Sequence, residues 1–380
     1  MDLLEYQARE LFRQAGLPLK QGLTVSGAAE LAAAAPALAY PVVVKAQVQT
    51  GGRGKAGGVR FADTPEELLE TAEAVLGLDI GGYTVRQVMA VEKVEIVREL
   101  YLSILLDRDA KHYTLLFSPQ GGVDVEQTAR ARPEQVSRLP IDPLLGLSPA
   151  AAVYLGGKAG FTKEQTKQLG DILLRLYACV RQNDCLLAEI NPLAVQPDGS
   201  LIAVDAKVRI DDSALARLPQ ARAWRDAMPT PALVREAREY SFLYIPCEPA
   251  GDVVVMSNGS GMLMSCIDQL ARHGRTVSAV LDLGGGATAD RISHAVRILF
   301  STEGSRHLFI NIFGGITRCN EVAAGIRAAV EAGESRPMVV RMEGTNKAEG
   351  LKLLQGLANV VCVDGLAEGV AAIVEGRDAL

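Results

Sequence analysis

Apolar positions in this chain recur at two periods, and a change of rhythm divides it. Near the start they fall at Leu4, Ala8, Leu11 and Phe12, the spacing of an amphipathic helix over residues 1–16, with Gly16 as its stop. Thr64-Pro65-Glu66-Glu67 is a capping box with proline at the first helical position. It predicts a helix running to about Leu76, ended by Gly77. Strand patterns surround it: Gly22–Val25, Val42-Val43-Val44 introduced by Pro41, and the alternating Tyr83–Val91. Leu100–Leu106 and His112–Phe117 flank Asp107-Arg108-Asp109-Ala110 as a hairpin. A long helix over 163–181 precedes Cys185–Ile190 and Leu201–Val204, which the turn Pro197-Asp198-Gly199 joins. Antiparallel strands and helices mixed in this way predict an α+β first half.

Arg217–Tyr240 is charged, proline-containing and helical in parts, and reads as a linker. Beyond it, five apolar runs each lead through a turn into a helical pattern: Val253–Met256, Ala279–Leu283, Leu308–Phe313, Met338–Met342 and Val360–Val363. Near-continuous apolar strands alternating with helices predict a parallel, doubly wound α/β sheet. Ligands of such sheets bind beyond the carboxyl ends of the strands, where helix N-termini face anions. None of the turns is G-x-G-x-x-G, which makes dinucleotide binding the weaker alternative.

Composition narrows the function. At 380 residues, 48% of them apolar, the chain can bury two or three domain cores. A net charge of −6 with no basic stripe argues against nucleic acid and anionic membrane as partners. No apolar run reaches about 18 residues and the N-terminus has no basic-then-apolar leader, so the expectation is a cytoplasmic protein. Cys179, Cys185, Cys247, Cys266, Cys319 and Cys362 show no CxxC spacing. They read as reduced, buried thiols, with packing favoured over catalysis for Cys319.

The first chemical feature is Val42–Arg60, VVVKAQVQTGGRGKAGGVR. A strand carries Lys45 into a loop with Gly51, Gly52, Gly54, Gly57 and Gly58 and the cations Arg53, Lys55 and Arg60. Successive backbone N–H groups beside cations make a cradle for polyphosphate. A solvated, flexible loop is the plain alternative, which the strand-plus-lysine approach disfavours. No Gly-Lys-Ser/Thr closes it, so it is not a Walker A loop. The second feature is Glu189-Ile190-Asn191-Pro192 with Asp205-Ala206-Lys207. Glu189 and Asn191 point to one face of a strand, and a hairpin register brings Asp205 beside Asn191. Asp and Asn oxygens suit Mg²⁺, which takes few protein ligands and leaves room for phosphates; a charged rim at a strand end is the alternative.

These motifs carry a resemblance. Glu5-Tyr6-Gln7-Ala8, Val44-Lys45-Ala46-Gln47-Val48, the Gly51–Gly58 loop, Gly121-Gly122-Val123-Asp124, Ala188–Leu193, Asp282-Leu283-Gly284-Gly285-Gly286-Ala287 and Asn311-Ile312-Phe313-Gly314-Gly315-Ile316 closely resemble the succinate–CoA ligase (succinyl-CoA synthetase) β-subunit family over nearly the whole chain. The resemblance implies an N-terminal ATP-grasp domain over 1–236, with about 21–100 as an inserted nucleotide-binding lobe, and a flavodoxin-like CoA-ligase domain over 245–380. It implies that Lys45, Gly52, Arg53 and Gly54 contact nucleotide phosphates and that Glu92, Val94 and Glu99 lie near adenine and ribose. By the same resemblance Asn191 and Asp205 bind Mg²⁺, and Glu189 is the catalytic carboxylate that meets a phosphohistidine. Asn258, Gly315, Ile316 and Thr317 then contact the acid substrate and the phosphorylated histidine. ATP or GTP would be the nucleotide. CoA and the phosphohistidine would belong to an α subunit, in a heterodimer or heterotetramer.

The histidines agree with a borrowed nucleophile. His112 falls in a hairpin strand, and His273, His294 and His307 in or beside helices; none sits in a glycine-rich turn, and all four read as surface or packing residues. The chain departs from the family at Gln49, where histidine is common, at Ser260, which replaces alanine, at Cys247–Asp252, and at Ser213 and Ala216, where asparagine and phenylalanine are usual. Ser260 bears on the acid, and malate, citrate or a sulfo-acid remain alternatives to succinate. A stand-alone ATP-grasp carboxylate–amine ligase and a regulatory subunit without catalysis are the other readings.

Overall fold

The computed structural model describes residues 1–50, 52–122 and 133–376; Gly51, Val123 and Asp124 lie outside the described residues. The chain forms two compact units, Met1–Met228 and Pro229–Leu380.

Besides a short pairing of Asp79–Ile80 with Tyr83–Thr84, the first unit holds two sheets; the expected strand Tyr83–Val91 is split into Tyr83–Thr84 and Val88–Glu92. The smaller runs in the order Gly22–Val25, Val88–Glu92, Val42–Ala46, Val59–Ala62, all neighbours antiparallel. Its core is aliphatic (Leu31, Val42, Val44, Leu68, Val88) and is roofed by the helix Pro65–Val75, whose Thr64 hydroxyl accepts from Glu67 N–H as the capping box requires. The larger sheet is ordered Leu201–Ala203, Cys185–Val195, Arg98–Asp107, His112–Ser118, Ser137–Ile141. Lys207–Ile210 pairs with the first part of Cys185–Val195, so that one long strand serves two partners in succession. The helices Glu5–Gln14 and Lys163–Gln182 cover this sheet through Phe12, Leu169, Leu173 and Leu176.

The second unit contains the parallel sheet: Val277–Asp282, Val253–Ser257, His307–Gly314, Met338–Gly344, Val360–Val363. An antiparallel edge strand, Leu243–Pro246, adds to it beside Val277–Asp282, and the sequence pattern does not reveal it. Alternate residues of the inner strands feed two apolar layers, Val254, Met256, Ile310 and Val340 on one face and Val253, Val255, Phe309 and Val339 on the other. The stretch expected as a linker folds into two helices: Pro219–Ala227 belongs to the first unit, and Ala232–Glu239 packs in the second through Ala237.

Three further expectations change. All six cysteines are free, but Cys362 is exposed and Cys247 only half-buried. The helix after Gly314-Gly315 begins at Cys319 and not at the glycines, because Ile316, Thr317 and Arg318 form a turn first. His307 opens a central strand and is buried, its ring beside Gly376 at the end of the helix Leu366–Glu375. Burial pushes its imidazole below its ordinary value near 6.5 and Arg275 adds to this, while Asp252 pulls the other way. Such a histidine favours a neutral form that the unfolded chain gives up as pH falls through 6.5. Stability therefore declines below that pH as the unfolded state takes up the proton. Calorimetric melting of the full chain between pH 7.5 and 5.5 should show the decline, and His307→Gln should reduce it.

Candidate functional site

A cleft of about 720 Å³ opens in the first unit. Glu99, Glu189, Asn191, Asp205 and Lys207 from the large sheet line it, with Gly52, Arg53, Gly54 and Lys55 from the glycine loop and Asp2 and Glu5 from the N-terminus. Two motifs separated by more than a hundred residues thus meet in one cavity.

The large sheet sets the acidic wall. Val204 N–H donates to Pro192 O at 3.1 Å, which brings Asp205 alongside Asn191, the register expected from the turn between them. Glu189 pairs with Ser103 on one side and Lys207 on the other. Tyr101 donates its hydroxyl proton to Glu189 Oε2 at 3.1 Å. The Asn191 amide is held at both ends by one residue: Gly122 N–H donates to Oδ1 at 3.0 Å, and Nδ2 donates to Gly122 O at 3.2 Å. Gly122 has φ +105°, a conformation that L side chains rarely adopt, and a Cβ there would come within 2.9 Å of Glu99 Oε2. The glycine requirement is local and steric.

Beneath the loop lies a group of charges. Lys45 Nζ is 2.7 Å from Glu5 Oε1 and 3.9 Å from Asp205 Oδ1. Arg53 Nη2 is 2.8 Å from Glu5 Oε2 and 3.3 Å from Asp205 Oδ2, while its Nη1 donates to Ala46 O at 3.0 Å. Glu5 is buried to 4% exposure. Burial raises its carboxyl above the usual range, neighbouring Asp205 adds to this, and Lys45 and Arg53 oppose it. Asp205 goes the other way: burial resists ionisation, but Lys45 and Arg53 together hold it below the ordinary carboxylate range. Arg9, one turn along from Glu5, donates to Val204 O at 3.0 Å and to Lys20 O.

Not every expected residue reaches the cleft. Lys45 sits under its floor, 7% exposed, with its ammonium spent on Glu5, Asp205 and Val204 O. Glu92 is paired with Lys20 at 2.9 Å, and neither it nor Val94 lines the cavity, whereas Glu99 does. Glu5, Arg9 and Gly122 carry structure at this site that motif reading did not assign. Glu5 stood in a recognised motif, but its contacts lie 40, 48 and 200 residues away and leave no local trace.

In the second unit the remaining candidates gather at the carboxyl ends of the parallel strands. Asn258 follows Val253–Ser257 and bonds the Phe313 backbone twice, its Nδ2 donating to Phe313 O at 2.8 Å and its Oδ1 accepting from Phe313 N–H at 3.0 Å. Thr317 is buried, and its Oγ1 accepts from Gly286 N–H at 3.1 Å. Gly315 and Ile316 are exposed between them, Ile316 to 83%. Ser260 donates its hydroxyl proton to Asp282 Oδ2 at 2.8 Å. Cys319 is buried with its thiol on Glu343 O, and burial raises it above the ordinary thiol value, as a packing role requires. Among the described residues no cluster of three or more His, Cys, Asp and Glu side chains is disposed to hold a metal, and no helix is long and apolar enough to cross a membrane.

The sequence pattern of the ATP-grasp domain matches residues 2–195, and that of the CoA-ligase domain matches 256–364. The chain is 43% identical over 355 residues to the succinate–CoA ligase [ADP-forming] subunit beta of Rubrobacter xylanophilus, covering 93% of this chain and 92% of that one. It is 41% identical over 357 residues to the succinate–CoA ligase [GDP-forming] subunit beta of Thermus thermophilus, covering 94% of each. The solved structure of ATP citrate lyase from Methanothrix soehngenii, in complex with citrate and coenzyme A, shares the fold with a TM-score of 0.80 over 99% of both chains at 19% identity. With both domain patterns in order and identity above 40% across more than nine-tenths of its length, the chain belongs to the succinate–CoA ligase β-subunit family, a family of acid–thiol ligases.

Proposed function

We propose that this chain is the β subunit of an NDP-forming succinate–CoA ligase, that its first unit binds ATP or GTP with Mg²⁺, and that its second binds the acid. The observation that carries the reading is the single cleft that joins the glycine loop to Glu189, Asn191 and Asp205. Arg53 with the N–H groups of the glycine loop would take the phosphates, with Lys45 close beneath, and Glu99 and the neighbouring segment the nucleoside. Asn191 Oδ1, on the strand Cys185–Val195, and the Asp205 carboxylate, just past the strand Leu201–Ala203 paired with it, are hard oxygen donors, the sparse set that suits Mg²⁺. The metal, when bound, neutralises charge on the phosphates.

The chain offers no histidine for the phosphoryl group. His112 is on a strand at a hairpin, His273 ends a helix, His294 stacks on Tyr240, and His307 is buried at the amino end of its strand. A partner α subunit would bring the imidazole. The phosphoryl group would pass from the nucleotide to that nitrogen with release of NDP, Glu189 orienting the ring. It would then pass to a carboxylate oxygen of the acid, restoring the free imidazole. CoA sulfur would attack the acyl carbon, and phosphate would leave. At the second site the exposed Gly315 and Ile316, with the buried Thr317 behind them and Asn258 beside them, would face the acid and the loaded histidine. A cytoplasmic heterodimer or heterotetramer fits six unpaired cysteines.

Co-purified with its α subunit, the protein should convert ATP or GTP, CoA and succinate to NDP, phosphate and succinyl-CoA. Chromatography of the nucleotides decides the matter, since AMP and pyrophosphate would overturn the reading. The hydroxyl of Ser260 makes a panel of malate, citrate and sulfo-acids the proper comparison. Asn191→Asp sets an anion against Gly122 O in place of the donated bond, and it should destabilise the fold by about 1–3 kcal/mol in urea titrations.

A further inference from the structure

We infer that Glu5 is a positioning residue of the phosphate subsite, fixing Lys45 and Arg53 to each other and to the large sheet. This rests on the nucleotide reading of the cleft given above.

Three observations converge on it. First, both oxygens of Glu5 are used, and on different elements: Oε1 on Lys45 of the strand Val42–Ala46, Oε2 on Arg53 of the loop beyond it. Asp205 reaches the same two cations more loosely, at 3.9 Å from Lys45 and 3.3 Å from Arg53, against 2.7 and 2.8 Å for Glu5. Second, Asp205 is a third exposed and open to the cleft, whereas the Glu5 side chain is 1% exposed. If Asp205 turns to a metal, Glu5 is the carboxylate that still holds both cations, beside the carbonyls of Val204 and Ala46. Third, the segment bearing Glu5 is registered against the strand that bears Lys45. Lys45, Gln47 and Gln49 alternate on one face: Lys45 meets Glu5, Gln47 Oε1 accepts from Tyr6 N–H at 3.0 Å, and Gln49 Nε2 donates to Asp2 O at 3.0 Å. Arg9 ties the same helix to Val204 O, the residue before Asp205. The N-terminal helix therefore spans from the small sheet to the large one, with Glu5 at the crossing.

A carboxylate buried only for stability would be replaceable without harm to phosphate selectivity, and this separates the two roles. Isothermal titration of the full chain with MgADP and MgGDP, and with adenosine and guanosine, measures both. In Glu5→Gln the dissociation constant for whichever diphosphate the wild type prefers should rise about tenfold or more, the worth of a charge-assisted hydrogen bond. The matching nucleoside should bind within about twofold of wild type, since it carries no phosphate for the cations to grip. Equal weakening of nucleoside and diphosphate, or none of either, would overturn the inference. Should Glu5→Gln fail to fold, Glu5→Asp keeps the charge and withdraws it by one methylene; it should weaken the diphosphate selectively, and wild-type affinity would overturn the inference. Wild-type protein that binds neither diphosphate would remove the nucleotide reading itself, and the inference with it.

Discussion

Charge brought under cover governs the first unit. Glu5, Lys45, Arg53 and Asp205 meet beneath the cleft with Arg9 one turn away. An isolated buried charge is costly, and removing one partner of such a group strands the other. Each member therefore constrains the rest: the strand delivers Lys45, the loop folds back to place Arg53, the helix start supplies Glu5, and the hairpin holds Asp205. Three cations thus face two carboxylates beneath the cleft.

Backbone geometry does for the second unit what charge does for the first. Gly314 and Gly344 end adjacent parallel strands in register, and a Cβ on Gly344 would lie 2.0 Å from Gly314 O. The two strand ends can close on each other only because both are bare. That closure leaves the turn Gly315–Arg318 standing clear, with Asn258 pinning Phe313 on one side and Thr317 bonded to Gly286 on the other. What faces outward is main chain with the side chains of Ile316 and Arg318, beside a half-exposed Phe313. Such a surface can orient an anion or a neighbouring loop, but it offers no side chain that could itself carry a phosphoryl group.

The parts legible from sequence were those written in neighbouring residues. Short apolar runs flanking a turn marked the hairpin Leu100–Phe117, near-continuous apolar runs marked the core strands of the parallel sheet, and the box at Thr64 marked the start of its helix. The glycine loop and the Glu189-x-Asn191 pattern marked the cleft walls because spacing alone puts those groups on one face. The rest depends on partners far along the chain. Leu243–Pro246 has two half-exposed apolar residues and becomes a strand only by pairing with Val277–Asp282. Lys207–Ile210 exists because Cys185–Val195 is long enough to take a second neighbour. His307 stands among polar neighbours in sequence, and only the sheet buries it as a packing residue.

Departures from the family pattern make sense when each is asked what bond it supplies. Gln49 replaces a common histidine, yet the task at that position is an N–H donor toward Asp2 O, and an amide donates as an imidazole does. The substitution preserves the registration of the N-terminal segment on the strand. Ser260 is different in kind. A methyl group could make no bond there, whereas the hydroxyl donates to Asp282 Oδ2 and holds that carboxylate beside the helix start. A hydroxyl so engaged fixes the orientation of a charge at the strand ends. The first change conserves a hydrogen bond by other means; the second adds one where the acid is proposed to bind. Only the second can alter what the site distinguishes, because discrimination between small acids rests on polar groups that are satisfied by one ligand and left unpaired by another.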